Sequence, residues 1–229
     1  MLNHLLPFGR YFKKTFPMKI VLLVIIPFFA IAQPLDNESK EILADISQYY
    51  ERLPSFSADF QLTLDLPEQS PEIQEGNLIK SGSRFMLKLA AQTIYSDGEI
   101  LVTILEDSKE VQLMNAAEMD TPGGLSPENI FSFYENEPYE YAVIGTQTLN
   151  GQNLTAIEFK PLDQWSDYAK IRMTVNKAKR QISMIEAFGK DGIAYVFNIK
   201  DFNSSPIIDE ELFTFDREKY SGYHIEDLR

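Results

Sequence analysis

The feature that most constrains the fold of this chain is a strictly alternating segment that begins at Phe56 and ends at Leu66. Every intervening residue is polar, and the apolar positions are Phe56, Ala58, Phe60, Leu62, Leu64 and Leu66. Because successive side chains of a β-strand point to opposite faces of a sheet, this segment predicts a strand with one apolar and one polar face. Such a strand is typical of an antiparallel sheet whose apolar face is covered by another layer.

Further strand-like segments recur at intervals of about ten residues, separated by turn signals such as Asp97-Gly98 and Asn150-Gly151. The spacing predicts a meander in which neighbours in sequence are neighbours in the sheet. The predicted strands span residues 73–80, 84–90, 92–96, 100–105, 111–114, 139–147, 154–161, 168–176, 181–188 and 193–202.

Two helical segments are expected to cover part of the apolar face. Residues 34–53 have apolar residues at helical spacing, and Pro54 ends the segment. Ser126-Pro127-Glu128 has the cap, the proline and the early acid of a helix start. The residues expected to face the sheet from these two helices are Ile46, Tyr50, Ile130, Phe131, Phe133 and Tyr134.

The first 32 residues differ in kind from the rest of the chain. Four basic residues precede an uncharged run from Ile20 to Ala32, and the run ends in the small-x-small pattern Ala30-Ile31-Ala32. This pattern predicts a secretory signal peptide that is cleaved after Ala32, with either Met1 or Met18 as the start. Residues 33–229 then form one domain, which we expect to be periplasmic.

Charge and composition exclude several classes of function. Cleavage would remove four basic residues and no acidic ones, which leaves 17 basic against 34 acidic residues and a net charge of −17. A chain of this charge is repelled by phosphate, so nucleic acid is not an expected partner. The chain has no cysteine, which excludes disulfides and thiolate metal sites.

The sequence offers no convincing catalytic or metal-binding motif. His224 is the single histidine after the predicted cleavage site, and no Gly-x-Ser-x-Gly motif accompanies it. We therefore expect a protein that is not an enzyme and that uses no cofactor or metal ion.

Apolar surface is what remains to be explained. The candidate residues lie on the first five predicted strands, and they are Phe60, Leu62, Leu64, Phe85, Leu87, Leu89, Ile100, Val102 and Ile104. They would either pack as a filled core or line a cavity for an apolar ligand, and patterning alone leaves both interpretations open.

Short motifs along nearly the whole mature chain resemble the LolA-type periplasmic carriers of outer-membrane lipoproteins. They are Leu53-Pro54-Ser55-Phe56, Ser57-Ala58-Asp59-Phe60, Glu75-Gly76-Asn77-Leu78-Ile79-Lys80, Arg84-Phe85, Ser96-Asp97-Gly98, Ser126-Pro127, Leu162-Asp163 and the closing Ile225-Glu226-Asp227-Leu228-Arg229. The chain departs from the family at Ser81, where well-known members have an arginine that bonds to a helical lid.

The resemblance implies an incomplete antiparallel β-barrel around an apolar cavity, with short α-helices as its lid. It also implies a function and partners: such a protein takes acylated lipoproteins from an ATP-driven release complex in the inner membrane and passes them to an outer-membrane acceptor. The nine candidate residues would then line the lipid-binding cavity, and the six helical residues would belong to the lid. We expect the protein to act as a monomer.

Three alternatives remain at this stage. The chain could carry another lipid or a glycolipid, could be a non-catalytic periplasmic interaction module with a filled core, or could be a hydrolase with a reactive serine.

Overall fold

The computed structural model describes residues 37–119, 125–126, 129–136, 138–149 and 151–229. The predicted signal peptide and its cleavage site lie outside these residues, as do Pro127 and Glu128 of the predicted second helix. Among the residues described, no helix is long and apolar enough to cross a membrane.

In this part of the chain, twelve strands form one sheet that is open and curled. Their order across the sheet is β12-β6-β5-β4-β3-β2-β1-β11-β10-β9-β8-β7. The strands are β1 (Ser55–Asp65), β2 (Glu72–Ser81), β3 (Arg84–Lys88), β4 (Gln92–Ser96), β5 (Ile100–Leu105), β6 (Glu110–Asn115), β7 (Tyr139–Leu149), β8 (Gln152–Pro161), β9 (Tyr168–Asn176), β10 (Gln181–Gly189), β11 (Ala194–Asn203) and β12 (His224–Asp227).

The predicted meander is confirmed within two runs, β1 to β6 and β7 to β11. The two runs are joined by antiparallel pairing of β1 with β11, so the alternating segment lies in the middle of the sheet. β12 was not predicted, and it pairs in parallel with β6. Its four residues contain only one apolar side chain, Ile225, so no alternation was visible in the sequence.

The first helix, α1 (Asn37–Glu51), ends shortly before Pro54 and buries Ile42, Leu43 and Ile46. The predicted burial of its apolar stripe is therefore confirmed within the described residues.

The second helix is shorter than predicted. The backbone N–H of Asn129 donates to Ser126 Oγ at 3.3 Å, and the N–H of Ser126 donates to Asn129 Oδ1 at 2.8 Å, so the predicted cap is present. The chain then turns, and α2 spans only Phe133–Asn136. Asparagine, serine and aromatic residues are weak helix formers, which accounts for the short length.

Apolar clusters lie on both faces of the sheet. The inner cluster contains residues of α1, of α2 and the turn before it, of the strands β1 to β3 and β8 to β10, and Leu101 of β5. The outer cluster consists of Tyr95, Val102, Ile104, Val111 and Leu113, and it is packed against partly buried residues that include Phe215, Tyr220, Tyr223 and Ile225. The C-terminal segment thus covers the face opposite to the helices.

Candidate functional site

A cavity of about 170 Å³ lies between the inner face of the sheet and the turn segment before α2, from which Leu125, Ser126, Ile130 and Phe131 line it. Ten of its eleven lining residues are apolar. The lining residues are Phe60, Leu78, Leu87, Ile94, Leu125, Ser126, Ile130, Phe131, Ile185, Phe197 and Ile199. An engineered cavity of about 150 Å³ with similar walls stays dry and binds benzene, so this space suits a hydrocarbon group.

Register places the wall residues of neighbouring strands on one face. Leu78 of β2 is directly opposite Leu87 of β3, and Leu87 is opposite Ile94 of β4. On the other side of the sheet centre, Phe60 of β1 is opposite Ile199 of β11. Directly opposed residues of paired strands share a face, so these side chains form a continuous apolar wall.

Phe60 owes its position to a glycine on the adjacent strand. Gly76 of β2 is directly opposite Phe60, and a Cβ atom at Gly76 would lie 2.3 Å from Phe60 Cζ. The same atom would lie 2.9 Å from a methyl group of Leu89. The glycine therefore leaves room for the Phe60 ring, which packs against Phe197 at 5.0 Å between ring centroids.

An aromatic cluster connects α1 to the rest of the inner face. The Tyr50 ring lies 5.1 Å from that of Phe131 and 5.6 Å from that of Phe56. Its hydroxyl oxygen accepts a hydrogen bond of 3.2 Å from the backbone N–H of Ile182. Burial of the ring raises the pKa of Tyr50, so the phenol stays neutral.

The ion pairs at the edge of α1 contribute less stability than the aromatic contacts of Tyr50. Lys177 contacts Glu38 at 3.0 Å, and Arg180 lies 4.0 Å from Asp45. These pairs are about half exposed, and exposed pairs contribute only about 0–1 kcal/mol. A hydrogen bond from Ser47 to Glu135 additionally joins α1 to α2.

Ser81, where LolA-type proteins have an arginine, contacts Arg84 of the next strand. Ser81 Oγ accepts a hydrogen bond of 3.4 Å from Arg84, which also pairs with Glu210 and lies 5.1 Å above the Phe213 ring. Arg84 thus connects β3 to the 3-10 turn Glu210–Phe213. The described contacts of α1 with the inner face include the aromatic packing of Tyr50 and its hydrogen bond with Ile182.

Six of the nine predicted cavity residues lie on β1 and around β3. Phe60 and Leu87 line the cavity. Phe85 is buried in the inner cluster, and Leu62 and Leu89 pack against that cluster. The sixth, Leu64, belongs to the same alternating series of β1 and is partly exposed.

The assignment of Ile100, Val102 and Ile104 to the cavity is wrong. Val102 and Ile104 belong to the outer cluster, and Ile100 packs against it. Ile94, a cavity residue, is directly opposite Thr103, so the residues on either side of Thr103 point to the other face. β5 is apolar at five of its six positions, so alternation could not fix its face, and a shift of one residue reverses the assignment.

The six predicted lid residues lie on α1, on α2 or in the turn just before α2. Ile130 and Phe131 line the cavity, whereas Ile46 and Phe133 are buried in the inner cluster. The other two, Tyr50 and Tyr134, pack against that cluster. Whether these segments open as a lid stays a prediction.

The sequence did not identify the wall that β10 and β11 provide, namely Ile185, Phe197 and Ile199. These strands reach the cavity through the pairing of β1 with β11, which joins residues about 140 positions apart. No local sequence pattern predicts such a long-range pairing.

Within the described ranges, no group of three or more histidine, cysteine, aspartate or glutamate residues could hold a metal ion. His224 is exposed on β12.

Several solved structures are similar to this chain over most of its length. An uncharacterised conserved protein from Thermus thermophilus is 8% identical, with a TM-score of 0.56 and coverage of 83% of this chain and 99% of that one. A LolA superfamily protein from Nitrosomonas europaea is 12% identical, with a TM-score of 0.42 and coverage of 78% and 98%. The lipoprotein LppX from Mycobacterium tuberculosis is also 12% identical, with a TM-score of 0.46 and coverage of 74% and 99%.

Of these three, the Thermus thermophilus protein alone has a TM-score above 0.5, and the likeness of fold rests on it. At identities this low, the likeness concerns the fold alone. No protein-family model matches the chain, and a search of curated proteins gives no match.

Proposed function

We propose that this protein is a periplasmic carrier that binds the acyl chains of lipoproteins and moves them from the inner to the outer membrane. The observation that supports the proposal most strongly is the cavity, whose walls are apolar at ten of eleven positions. The carrier acts by binding and release, so it needs no catalytic residue and no cofactor.

The free energy of transferring an acyl chain out of water favours its binding in such a cavity. Burial of each CH₂ group is worth about 0.8 kcal/mol, so a long acyl chain costs on the order of 10 kcal/mol to leave in water. The cavity of about 170 Å³ is only slightly larger than one that holds benzene. Uptake of a whole chain therefore requires Ile130 and Phe131, which cover the cavity, to move away from the sheet. Because the Tyr50 ring packs against Phe131, α1 would move with them.

Two states of similar energy would make this movement reversible. The contacts of α1 that hold the closed state combine the buried aliphatic residues Ile42, Leu43 and Ile46 with the ring of Tyr50. The aromatic pairs of Tyr50 contribute about 0.5–1.5 kcal/mol each beyond their buried area. An entering acyl chain replaces these contacts with equivalent apolar ones, and the population shifts to the open state. The inner-membrane release complex and the outer-membrane acceptor would be the partners that load and unload the carrier.

The test compares two half-buried phenylalanines. Phe197 lines the cavity, whereas Phe215 packs against the outer cluster. In Phe197→Ala, we expect several-fold weaker solubilisation of a triacylated lipoprotein from vesicles, because part of the apolar wall is lost. Phe215→Ala is the matched control and should solubilise the lipoprotein as well as the unchanged protein does.

Equal solubilisation by both variants would contradict the assignment of the cavity. Mass spectrometry of lipids that copurify with the protein separates a lipoprotein carrier from a carrier of another lipid. A chain that neither solubilises lipoproteins nor copurifies with any lipid would be an interaction module instead.

A further inference from the structure

A second, polar recess lies in the sheet where β10 and β11 separate. The two strands are paired from Met184 opposite Asn198 to Phe188 opposite Ala194. β10 begins at Gln181 and β11 continues to Asn203, so the facing ends of both strands extend beyond the ladder. A cleft of about 200 Å³ occupies this place.

Two irregularities open the cleft. The pairing of β10 with β9 shifts register between Ile182 and Met184, which leaves Ser183 as an extra residue. The pairing of β11 with β1 shifts in the same way and leaves Lys200 as an extra residue. Such bulges bend a strand and end its pairing, and they are frequent next to binding sites.

The cleft adjoins the apolar cavity. Ile199 lines both spaces. Ile182, which belongs to the inner cluster, forms another part of the cleft wall, and its backbone N–H is held by the Tyr50 hydroxyl of α1. Lys200 contacts Gln61, which alternates with Phe60 and so lies on the opposite face of β1 from the cavity. A molecule with a tail in the cavity would therefore reach the cleft by passing between β10 and β11, where the two strands separate.

The cleft has a basic rim, although the chain as a whole carries a formal charge of −13. Lys179 and Lys200 line it together with one acidic residue, Asp201. Lys200 donates a hydrogen bond of 3.5 Å to the side-chain amide oxygen of Gln61, a neutral partner. The neighbouring bases Lys177 and Arg180 are each paired with an acidic residue of α1 and add no net charge, so the positive charge at the rim comes from Lys179 and Lys200.

We propose that this cleft binds the anionic head of an amphiphile, a phosphate or a carboxylate, whose hydrocarbon tail occupies the cavity. The inference rests on the proposed lipid-binding function and specifies the chemistry that the site selects. Lys179 and Lys200 supply charge-assisted hydrogen bonds to the head. The buried Asn176, which also lines the cleft, donates to Gln152 at 3.0 Å and accepts from the backbone N–H of Lys179 at 3.1 Å, so it holds the Lys179 backbone beside the cleft.

The experiment compares probes that share a tail and differ in the head. Calorimetry measures the binding of dodecyl phosphate, laurate and uncharged glycerol monolaurate, each below its micelle concentration. Inorganic phosphate alone is the fourth probe. The variants are Lys179→Gln/Lys200→Gln and, as a matched control, Lys88→Gln, which removes an exposed strand lysine of β3.

We expect the unchanged protein to bind one or both anionic probes about tenfold more tightly than glycerol monolaurate, since a hydrogen bond to a charged group has about that effect. Which of the two is preferred identifies a phosphate or a carboxylate head. The double variant should lose this preference and keep its affinity for glycerol monolaurate, whereas Lys88→Gln should keep both. The preference should also weaken as salt is added.

Equal binding of charged and uncharged probes to the unchanged protein would overturn the inference and leave the lipid carrier intact. Retention of the preference in the double variant would also overturn it. Binding of inorganic phosphate as tightly as dodecyl phosphate would show an anion site that is independent of the cavity, which likewise contradicts it. Failure of glycerol monolaurate to bind would instead contradict the proposed function itself.

Discussion

Replacement of Gly76 by alanine tests whether Phe60 forms the wall of a working cavity. The added Cβ would lie 2.3 Å from Phe60 Cζ, whereas ordinary contact begins at 3.4 Å. The ring must therefore move by about 1 Å away from β2, which directs it into the cavity. The backbone conformation permits alanine, because Gly76 is not among the glycines with positive φ.

Two measured quantities should change in Gly76→Ala. Overpacking of this kind costs about 1–3 kcal/mol, so the free energy of unfolding should fall by that amount. The displaced ring would also exclude about one or two CH₂ groups of a bound chain, at about 0.8 kcal/mol each. The affinity for an acyl ligand should then fall by about 4- to 15-fold.

The assays are urea unfolding and a fluorescent acyl-chain displacement titration. Gly145→Ala in β7 is the matched control, because a Cβ atom there meets nothing within 4 Å. That change should leave ligand affinity unaltered and the stability equal or slightly higher, since alanine restricts the unfolded chain. If Gly76→Ala binds the ligand as tightly as Gly145→Ala does, Phe60 does not bound the ligand site.

Two further predictions concern the closed state and pH. Tyr50→Phe keeps the ring but leaves the N–H of Ile182 without its acceptor, so we expect a loss of about 1–3 kcal/mol in unfolding free energy and faster ligand release in stopped-flow. An unchanged release rate would show that this bond does not hold α1 closed. Hydrogen bonds from Lys170 and Arg172 hold the pKa of Glu158 below its ordinary value of 4.5. The stability from this ionised carboxylate is present above that ordinary value and is lost as the pH falls through the lowered pKa of the folded state, so Glu158→Gln should flatten the acid unfolding curve over that range. Identical curves would contradict the assigned pairing.

Much of the fold follows from local patterns. The alternation of β1, the turn dipeptides and the amphipathic α1 each predict one element, and the structure confirms those elements. Period-two alternation also identified which side of β1 and β3 faces the helices, and Phe60 and Leu87 were placed correctly for that reason.

The errors have physical causes that local patterns do not encode. β5 is apolar on both faces because the C-terminal segment covers the outer cluster. The sequence of β5 therefore did not show which face of the sheet Val102 and Ile104 point to. Nothing near β5 in sequence indicates that Phe215 and Tyr220 pack against that cluster. In the same way, Phe197 was missed because its place in the wall depends on the long-range pairing of β11 with β1.

The central claim is that acyl chains lie between the inner face of the sheet and the helices. The most direct test is photocrosslinking with a lipoprotein whose acyl chains carry a diazirine group, followed by peptide mass spectrometry. The account predicts that labelled residues cluster around Phe60, Leu87 and Phe197 on the cavity wall. Labels that fall instead around Val102 and Ile104 in the outer cluster would contradict it.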